Sequence, residues 1–469
     1  MMLVKINTRS VVLTLTALLT LGGCANIPPD SGLSSVEKVV SHAAGRSIPL
    51  PGLDSGLLMS EEEVTRLLAF PLKPGDAERI ALYRNPLIRM KLANVGLSQA
   101  DYAQAGRMRN PGISFTRYST SDYEATTLFD IGGLILMPLR RKVAAQQLKI
   151  SEYRAAGDIV NHIHDTRATW ILAVAEGHKT LLMEETLISI EAANQLTRQM
   201  AALGHSSLRE ATESELSLAE FRTALSRQRI EEINRREELI RMLGLWGSDA
   251  NLMNLPQTLE PLPISPVDNG DIARFAVSNR IDVEMARENL IAVAANMKLT
   301  RRSPFINVLE LGPVIERSSG ESDAGFEIEL TLPLFDWGGV KNDRARMVYQ
   351  QALAGAELTA LSAASEAREA LHTYRRAWDI VTAYQQRVLP LQNRINDEEL
   401  LRYNGMLISV FDLLKNVKRR LATHINYVDK LKDYWLAETR LRQVMVSSGS
   451  TAMNFSVAAT ASPSDEGGH

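Results

Sequence analysis

Between Phe326 and Leu332 apolar and polar positions alternate without a break. Phe326, Ile328, Leu330 and Leu332 fall on one side and Glu327, Glu329 and Thr331 on the other, the period of a strand with one apolar and one wet face. Pro333, Gly338 and Gly339 end the pattern, and a helical run of about 60 residues rich in Ala, Gln, Glu and Arg follows. The same reading applied along the chain gives four strands, at about Gly112–Ser119, Ala125–Leu139, Ile306–Ser319 and Gly325–Phe335, in two hairpins with polar tips at residues 119–124 and 318–323. Each is near the roughly ten residues that a tilted strand needs to cross a hydrocarbon layer, and Tyr118, Tyr123, Phe335 and Trp337 lie near strand ends, where an aromatic girdle sits. Four strands cannot close a barrel, and open edges in lipid leave backbone groups unpaired. Three copies of the chain would supply twelve strands.

The helical text is written twice. Asn85-Pro86 opens a helix running to about Met108, and Asn279-Arg280 opens another running to about Thr300. Strand-like text follows each, ending at Pro138-Leu139 and at Pro333-Leu334. Helices of about 63 residues are then expected from Arg141 to Leu203 and from Val340 to Tyr403, each stopping at a glycine, Gly204 or Gly405, before a returning helix of about 40 residues. At 1.5 Å per residue the long helices reach about 95 Å. The offset between halves stays near 200 residues, a fold-level signal of internal repetition. In the second long helix a heptad seam runs through Leu353, Ala360, Ala367, Tyr374, Val381, Val388 and Ile395, with Ala356, Ala363, Ala370, Ala377, Tyr384 and Leu391 at the offset positions. Pro390 is expected to kink it.

This patterning divides the chain into residues 1–23, a leader; 24–78, a linker; 79–253, the first repeat; 254–270, a proline-rich extended linker; 271–446, the second repeat; and 447–469, a Ser-, Ala- and Gly-rich disordered tail. The fold class is mainly α with a β-barrel portion. Long antiparallel helical hairpins and four strands per chain define it.

Composition narrows the function by exclusion. A net charge of −3 argues against a nucleic-acid partner. After residue 23 no apolar run is long enough to span a bilayer as a helix, so a membrane portion must be built of strands. At the start, Lys5 and Arg9 precede an apolar segment and then Leu21-Gly22-Gly23-Cys24, which has the form of a secretory signal and resembles the bacterial lipobox. That resemblance implies cleavage before Cys24, a diacylglyceryl chain on its thiol and, with Ala25 following, sorting to the outer membrane. Cys24 is the single cysteine, which leaves no intrachain disulfide or Cys-x-x-Cys pair. His162 and His164 are two apart and diverge on a helix, so a surface or seam histidine is expected rather than a metal ligand. No nucleophile elbow, phosphate loop or paired-carboxylate arrangement is visible. No cofactor or enzymatic activity is expected.

Four stretches, 105–115 (AGRMRNPGISF), 330–345 (LTLPLFDWGGVKNDRA), 388–395 (VLPLQNRI) and 402–414 (RYNGMLISVFDLL), in this order and after a lipobox, resemble the TolC-like outer-membrane efflux proteins over essentially all of the mature chain. The resemblance implies a homotrimer, with a twelve-stranded barrel in the outer membrane continued by a twelve-helix tunnel through the periplasm of a Gram-negative bacterium. It implies a passive exit duct for a tripartite exporter, coupled through a periplasmic adaptor protein to an inner-membrane transporter. The alternatives are a structural periplasmic coiled-coil lipoprotein without a pore and the outer-membrane component of a type I secretion system. Gly204 and Gly405 become the tip glycines at the adaptor-facing end. Asp412 is the candidate for an acidic constriction, with Glu210 and Glu213 as counterparts in the first half; a solvated helix residue is the other reading. Here the chain departs from the family, which commonly has an acid after the paired aliphatics, where this sequence has Leu414 and Lys415. Glu327 and Glu329 face the lumen, either biasing it toward cations or standing as solvated groups.

Overall fold

The computed structural model describes residues 32–51, 59–266, 270–302, 309–318, 321–330 and 337–448. The signal and Cys24, the strand ends at 306–308 and 331–335 and the tail beyond residue 448 lie outside them. Two compact units divide the chain.

The first unit comprises residues 1–32, 94–152 and 288–353 and holds the sheet. Strands β1 (Gly112–Arg117), β2 (Tyr123–Asp130), β3 (Leu309–Ser318) and β4 (Glu321–Leu330) pair antiparallel in sequence order. Pro313 sits inside the ladder without an N–H to give, and pairing between β2 and β3 skips it, passing from Thr126↔Val314 to Phe129↔Leu311. Boundaries of β2 and β4 differ from the sequence reading. β4 begins at Glu321 rather than Gly325. β2 stops at Asp130, and Ile131–Leu139, expected as strand, is the start of a helix. A short apolar run such as residues 131–137 has no period that separates strand from buried helix, and the Asp130 carboxylate decides the matter by accepting the Gly133 N–H as a helix cap.

The helices, in chain order, are α1 (Leu33–Ala44), α2 (Glu61–Leu68), α3 (Pro74–Arg84), α4 (Pro86–Ala105), α5 (Ile131–Ala202), α6 (Leu208–Leu243), α7 (Ser248–Leu252), α8 (Ile272–Asn279), α9 (Ile281–Arg302), α10 (Gly339–Ala383), α11 (Leu389–Asn404) and α12 (Val410–Val446). Among the described residues no helix is long and apolar enough to cross a membrane. The stretch read as a linker from residue 24 to 78 is partly helical, because α1 and α2 each bury an apolar pair, Val36 with Val40 and Val64 with Leu68.

The second unit, residues 33–93, 153–287 and 354–469, contains the main core. Trp170, Leu239, Leu243, Ala367, Tyr374, Val428 and Tyr434 are buried together, and the Tyr374 and Tyr434 rings meet at 5.4 Å. The proline-rich segment after Met253 lies against the helices as extended chain. The Trp378 and Trp435 indole N–H groups donate to the carbonyls of Pro263 and Glu260 at 3.2 and 3.0 Å, and the Leu72 N–H donates to Asn254 at 2.9 Å.

The expected seam of the second long helix holds through Ala363, Ala367, Ala370, Tyr374 and Val381, all buried, and then fails. Val388, Leu391 and Ile395 are exposed, and Gln392 is buried in their place. Tyr384–Val388 forms a π-helical turn just ahead of Pro390. The wider turn inserts about one residue and accommodates a proline without an amide hydrogen. Everything downstream is thereby rotated by one position. The first hairpin reaches the same phase without such a turn, with Ile190 and Asn194 buried at the positions 202 residues before Gln392 and Asn396.

Gly244 ends α6 with φ +70°, and a side chain there would lie 2.7 Å from the Asn85 Cα. We expect Gly244→Ala to lower stability by about 2 kcal/mol or more, left-handed strain adding to a backbone collision. Gly204→Ala, with φ +76° and open space around it, should cost about 1 kcal/mol. Thermal unfolding of both variants distinguishes the two, and equal losses would contradict the close approach.

Candidate functional site

Two regions carry the residues singled out by the sequence: the sheet in the first unit and the helix–helix turns in the second. In the sheet, register assigns every side chain to a face. Glu327 and Glu329 share one face, as expected, opposite Gly312 and Glu310. That face is far more acidic than the β4 pattern alone implied. Asp130, Glu310 and Glu329 form one row across three strands, and Glu124, Glu316 and Asp323 form another. Glu321 and Glu327 add to it, and the register places no Lys or Arg there among the described residues. The other face carries Ile113, Phe115, Phe129, Leu311, Ile315, Phe326 and Ile328, and it is open to solvent in the single chain, with Ile113 78 % and Phe326 71 % exposed. The acids of β3 were missed because Gly312, Pro313 and Val314 blur its alternation. Counting Glu310 and Glu316 at an even spacing would have found them.

Aromatic side chains mark the hairpin end. Tyr118 and Tyr123 flank the first turn, the Phe115 and Tyr123 rings stack at 5.6 Å, and the Tyr118 hydroxyl donates to Glu124 at 2.9 Å. Trp337 is exposed just before α10, and Phe335 lies outside the described residues.

The two helical tips are built to one plan. After α5, the His205 N–H donates to Met200 O at 2.8 Å and the Gly204 N–H to Ala201 O at 3.1 Å; after α11, the Leu407 N–H donates to Arg402 O and the Met406 N–H to Tyr403 O, both at 2.9 Å. Both are six-to-one plus five-to-two closures that place one residue in the left-handed region. In the first tip that residue is Gly204, φ +76°. In the second it is Met406, φ +56°, whereas Gly405 has an ordinary φ of −80°. Both glycines follow the ends of their helices, but the left-handed position falls on Gly204 in the first tip and, 202 residues on, on Met406 rather than Gly405 in the second, where a non-glycine residue bears the strain.

The next helices start with matching capping boxes. Ser207 caps α6 through the Glu210 N–H, and the Glu210 carboxylate accepts the Ser207 N–H at 2.9 Å. Ser409 caps α12 through the Asp412 N–H, and Asp412 accepts the Ser409 N–H at 3.1 Å. These hydrogen bonds hold both carboxyl groups below the usual carboxylate range, led by the serine hydroxyls of Ser206 and Ser409. Glu210 and Asp412 thus help order the turns, and Glu213 pairs with Arg209 one helical turn away at 2.9 Å. Below the tips, buried amides bridge each hairpin: Asn194 to Ser214 at 3.2 Å, and Gln392 to Asn416 at 3.2 Å. Apolar side chains crowd the ends, Leu203 and Leu208 on one tip, Met406 and Leu407 on the other, with Met406 94 % exposed.

His162 is buried at 4 % exposure and His164 is partly buried on the same helix, α5. Burial first, then the neighbouring Arg167, Arg442 and Arg46, push His164 down to about 4. Among the described residues no group of three or more His, Cys, Asp or Glu side chains is disposed to hold a metal ion.

The fold is that of the TolC-like outer-membrane channels. No protein-family model and no curated protein matches the chain, but solved structures do. The outer membrane channel CmeC of Campylobacter jejuni is similar at a TM-score of 0.70 and 14 % identity, over 85 % of this chain and 89 % of that one. The outer membrane protein VceC of Vibrio cholerae is similar at 0.64 and 15 %, over 79 % and 95 %. The open state of the MtrE outer membrane channel of Neisseria gonorrhoeae gives 0.59 and 15 %, over 79 % and 88 %.

The second tip should be stabilised by Met406→Gly by about 1 kcal/mol, because glycine takes the left-handed position without steric cost. Hydrogen exchange across residues 398–416 reads this; slower exchange is expected, and faster exchange would contradict the strain. His164 is neutral when folded and gains a proton near 6.5 when unfolded. Its contribution is therefore present above pH 6.5 and is lost as pH falls toward about 4. Unfolding midpoints of His164→Gln should fall less steeply across that window than those of the parent.

Proposed function

We propose that the chain is the outer-membrane exit duct of a tripartite efflux system: a passive homotrimeric channel, inserted in the outer membrane by its sheets and extended into the periplasm by its helices. One observation carries the reading. A four-stranded sheet with an apolar face and an acidic face ends in two edges, β1 and β4, that have no partner strand among the described residues. With four antiparallel strands the edges run in opposite directions, so β1 of one copy continues antiparallel onto β4 of the next. A ring of copies closes without leaving an edge. Apolar side chains then meet lipid and the acidic rows line water. Three copies, giving twelve strands, follow the resemblance stated above.

Further support comes from the helices. Val388, Leu391 and Ile395 form an apolar strip that the π turn rotates to the surface of the single chain, as a wall helix flanked by neighbouring copies requires. The apolar residues at the two tips suit the adaptor end, with an inner-membrane transporter supplying the energy. CmeC, VceC and MtrE are named as outer-membrane proteins or channels, and the same location is proposed here, with Cys24 as the lipid anchor. The strands disfavour the reading as a pore-free tether, which has no use for an apolar sheet face.

Ile328 and Glu327 are neighbours on opposite faces, and they test the reading. Ile328→Arg puts a cation on the lipid side, costing about 2–4 kcal/mol if it lies near the bilayer midplane, and assembled protein in the outer membrane should fall sharply. Glu327→Gln should leave assembly intact. Equal behaviour of the two variants would contradict the assigned faces.

A further inference from the structure

The apolar face of the sheet is charged at a single level. Among its described residues Arg117 and Arg317 are the two that carry charge, and both stand at the hairpin ends of their strands. Register places them in one row, Arg117 opposite Tyr123 and Tyr123 opposite Arg317. Two strand spacings set their Cα atoms about 10 Å apart, a gap that two arginine side chains can bridge onto one oxyanion. Both residues are exposed. Arg117 leans on its own turn, donating from Nε to Ser119 O at 2.9 Å and from Nη2 to Thr120 O at 3.1 Å, and two of its five N–H groups suffice for those bonds. The next row on the opposite face is Glu124, Glu316 and Asp323, so at this end of the sheet the apolar side alone attracts an anion.

We propose that Arg117, Tyr123 and Arg317 form a docking site for the phosphate groups of anionic lipid headgroups in the outer leaflet. The inference rests on the membrane-spanning reading of the sheet. On that reading the hairpin ends are extracellular, and the row lies just beyond the apolar band of Phe115, Ile315 and Phe326, at headgroup depth. Guanidinium groups form paired hydrogen bonds with phosphate oxygens, which a headgroup without phosphate cannot reciprocate. Tyrosine favours the same boundary, its ring against acyl chain and its hydroxyl in water. Two cations without a counter-charge would repel across this row; a bound phosphate removes that repulsion and ties β1, β2 and β3 together on their outer side.

The test uses full-length protein purified in neutral detergent and exposed to lipid A or to its dephosphorylated form, with bound lipid read by native mass spectrometry. Wild-type protein is expected to retain lipid A and to release the dephosphorylated form. Arg117→Gln with Arg317→Gln should lower retention at least fivefold, while Arg227→Gln, an exposed arginine on α6, should leave it unchanged. Equal retention of the two lipids by wild-type protein, a comparison that does not depend on how any variant folds, overturns the proposal, as does undiminished retention by the double variant. Conductance in neutral bilayers separates the two levels: a conducting protein without lipid preference removes this site alone, and a protein that conducts in no bilayer removes the reading beneath it.

Discussion

On the proposed reading, backbone hydrogen bonding in the absence of water governs this molecule. A strand edge in hydrocarbon has no solvent to satisfy its N–H and C=O groups, and each bare group costs several kcal/mol. β1 and β4, the outer strands of the sheet among the described residues, are such edges on the proposed reading. On that reading the sheet is not a finished object within one chain, and its two-faced patterning makes sense when the edges meet those of other copies. The proposed oligomer is a consequence of this requirement and covers the apolar strip left open on α11, while the apolar face of the sheet meets lipid.

The helical tips face the opposite problem. They reverse a long hairpin in water, where backbone groups are cheap to satisfy but the turn must be held in one shape. Both tips use the same device, a left-handed closure followed by a serine capping box. The same hydrogen bonds recur 202 residues apart, with Glu210 answered by Asp412 and Gly204 by Met406. The second hairpin carries a strained methionine at the tip and a π turn ahead of Pro390. Buried amides at Gln392 and Asn416 take the place that Ile190 and Ser214 hold in the first.

Much of this was legible in the sequence where a single period dominates. Phe326 to Leu330 announced β4 and its faces, and the alanine seam from Ala363 to Val381 announced its buried side. Legibility ended where two physical effects compete. Residues 131–137 suit strand and helix equally, and a cap from Asp130 settled them. The heptad count past Val381 assumed an unbroken helix, and the π turn shifted the phase by one. Gly405 drew attention because glycine usually takes the left-handed position, yet the closure puts Met406 there, which no spacing rule reveals. Asp412 and Glu210 were noticed as acids near a tip; their partners, Ser409 and Ser207, show that an acid three residues after a serine is first a helix start.

The most direct measurement is the mass and conductance of the intact protein extracted in mild detergent and reconstituted into planar bilayers. The account predicts a stable assembly of three chains that carries ion current through a water-filled pore. A monodisperse single chain that retains its sheet and passes no current would contradict it, because its edge strands would then have found satisfaction without neighbours.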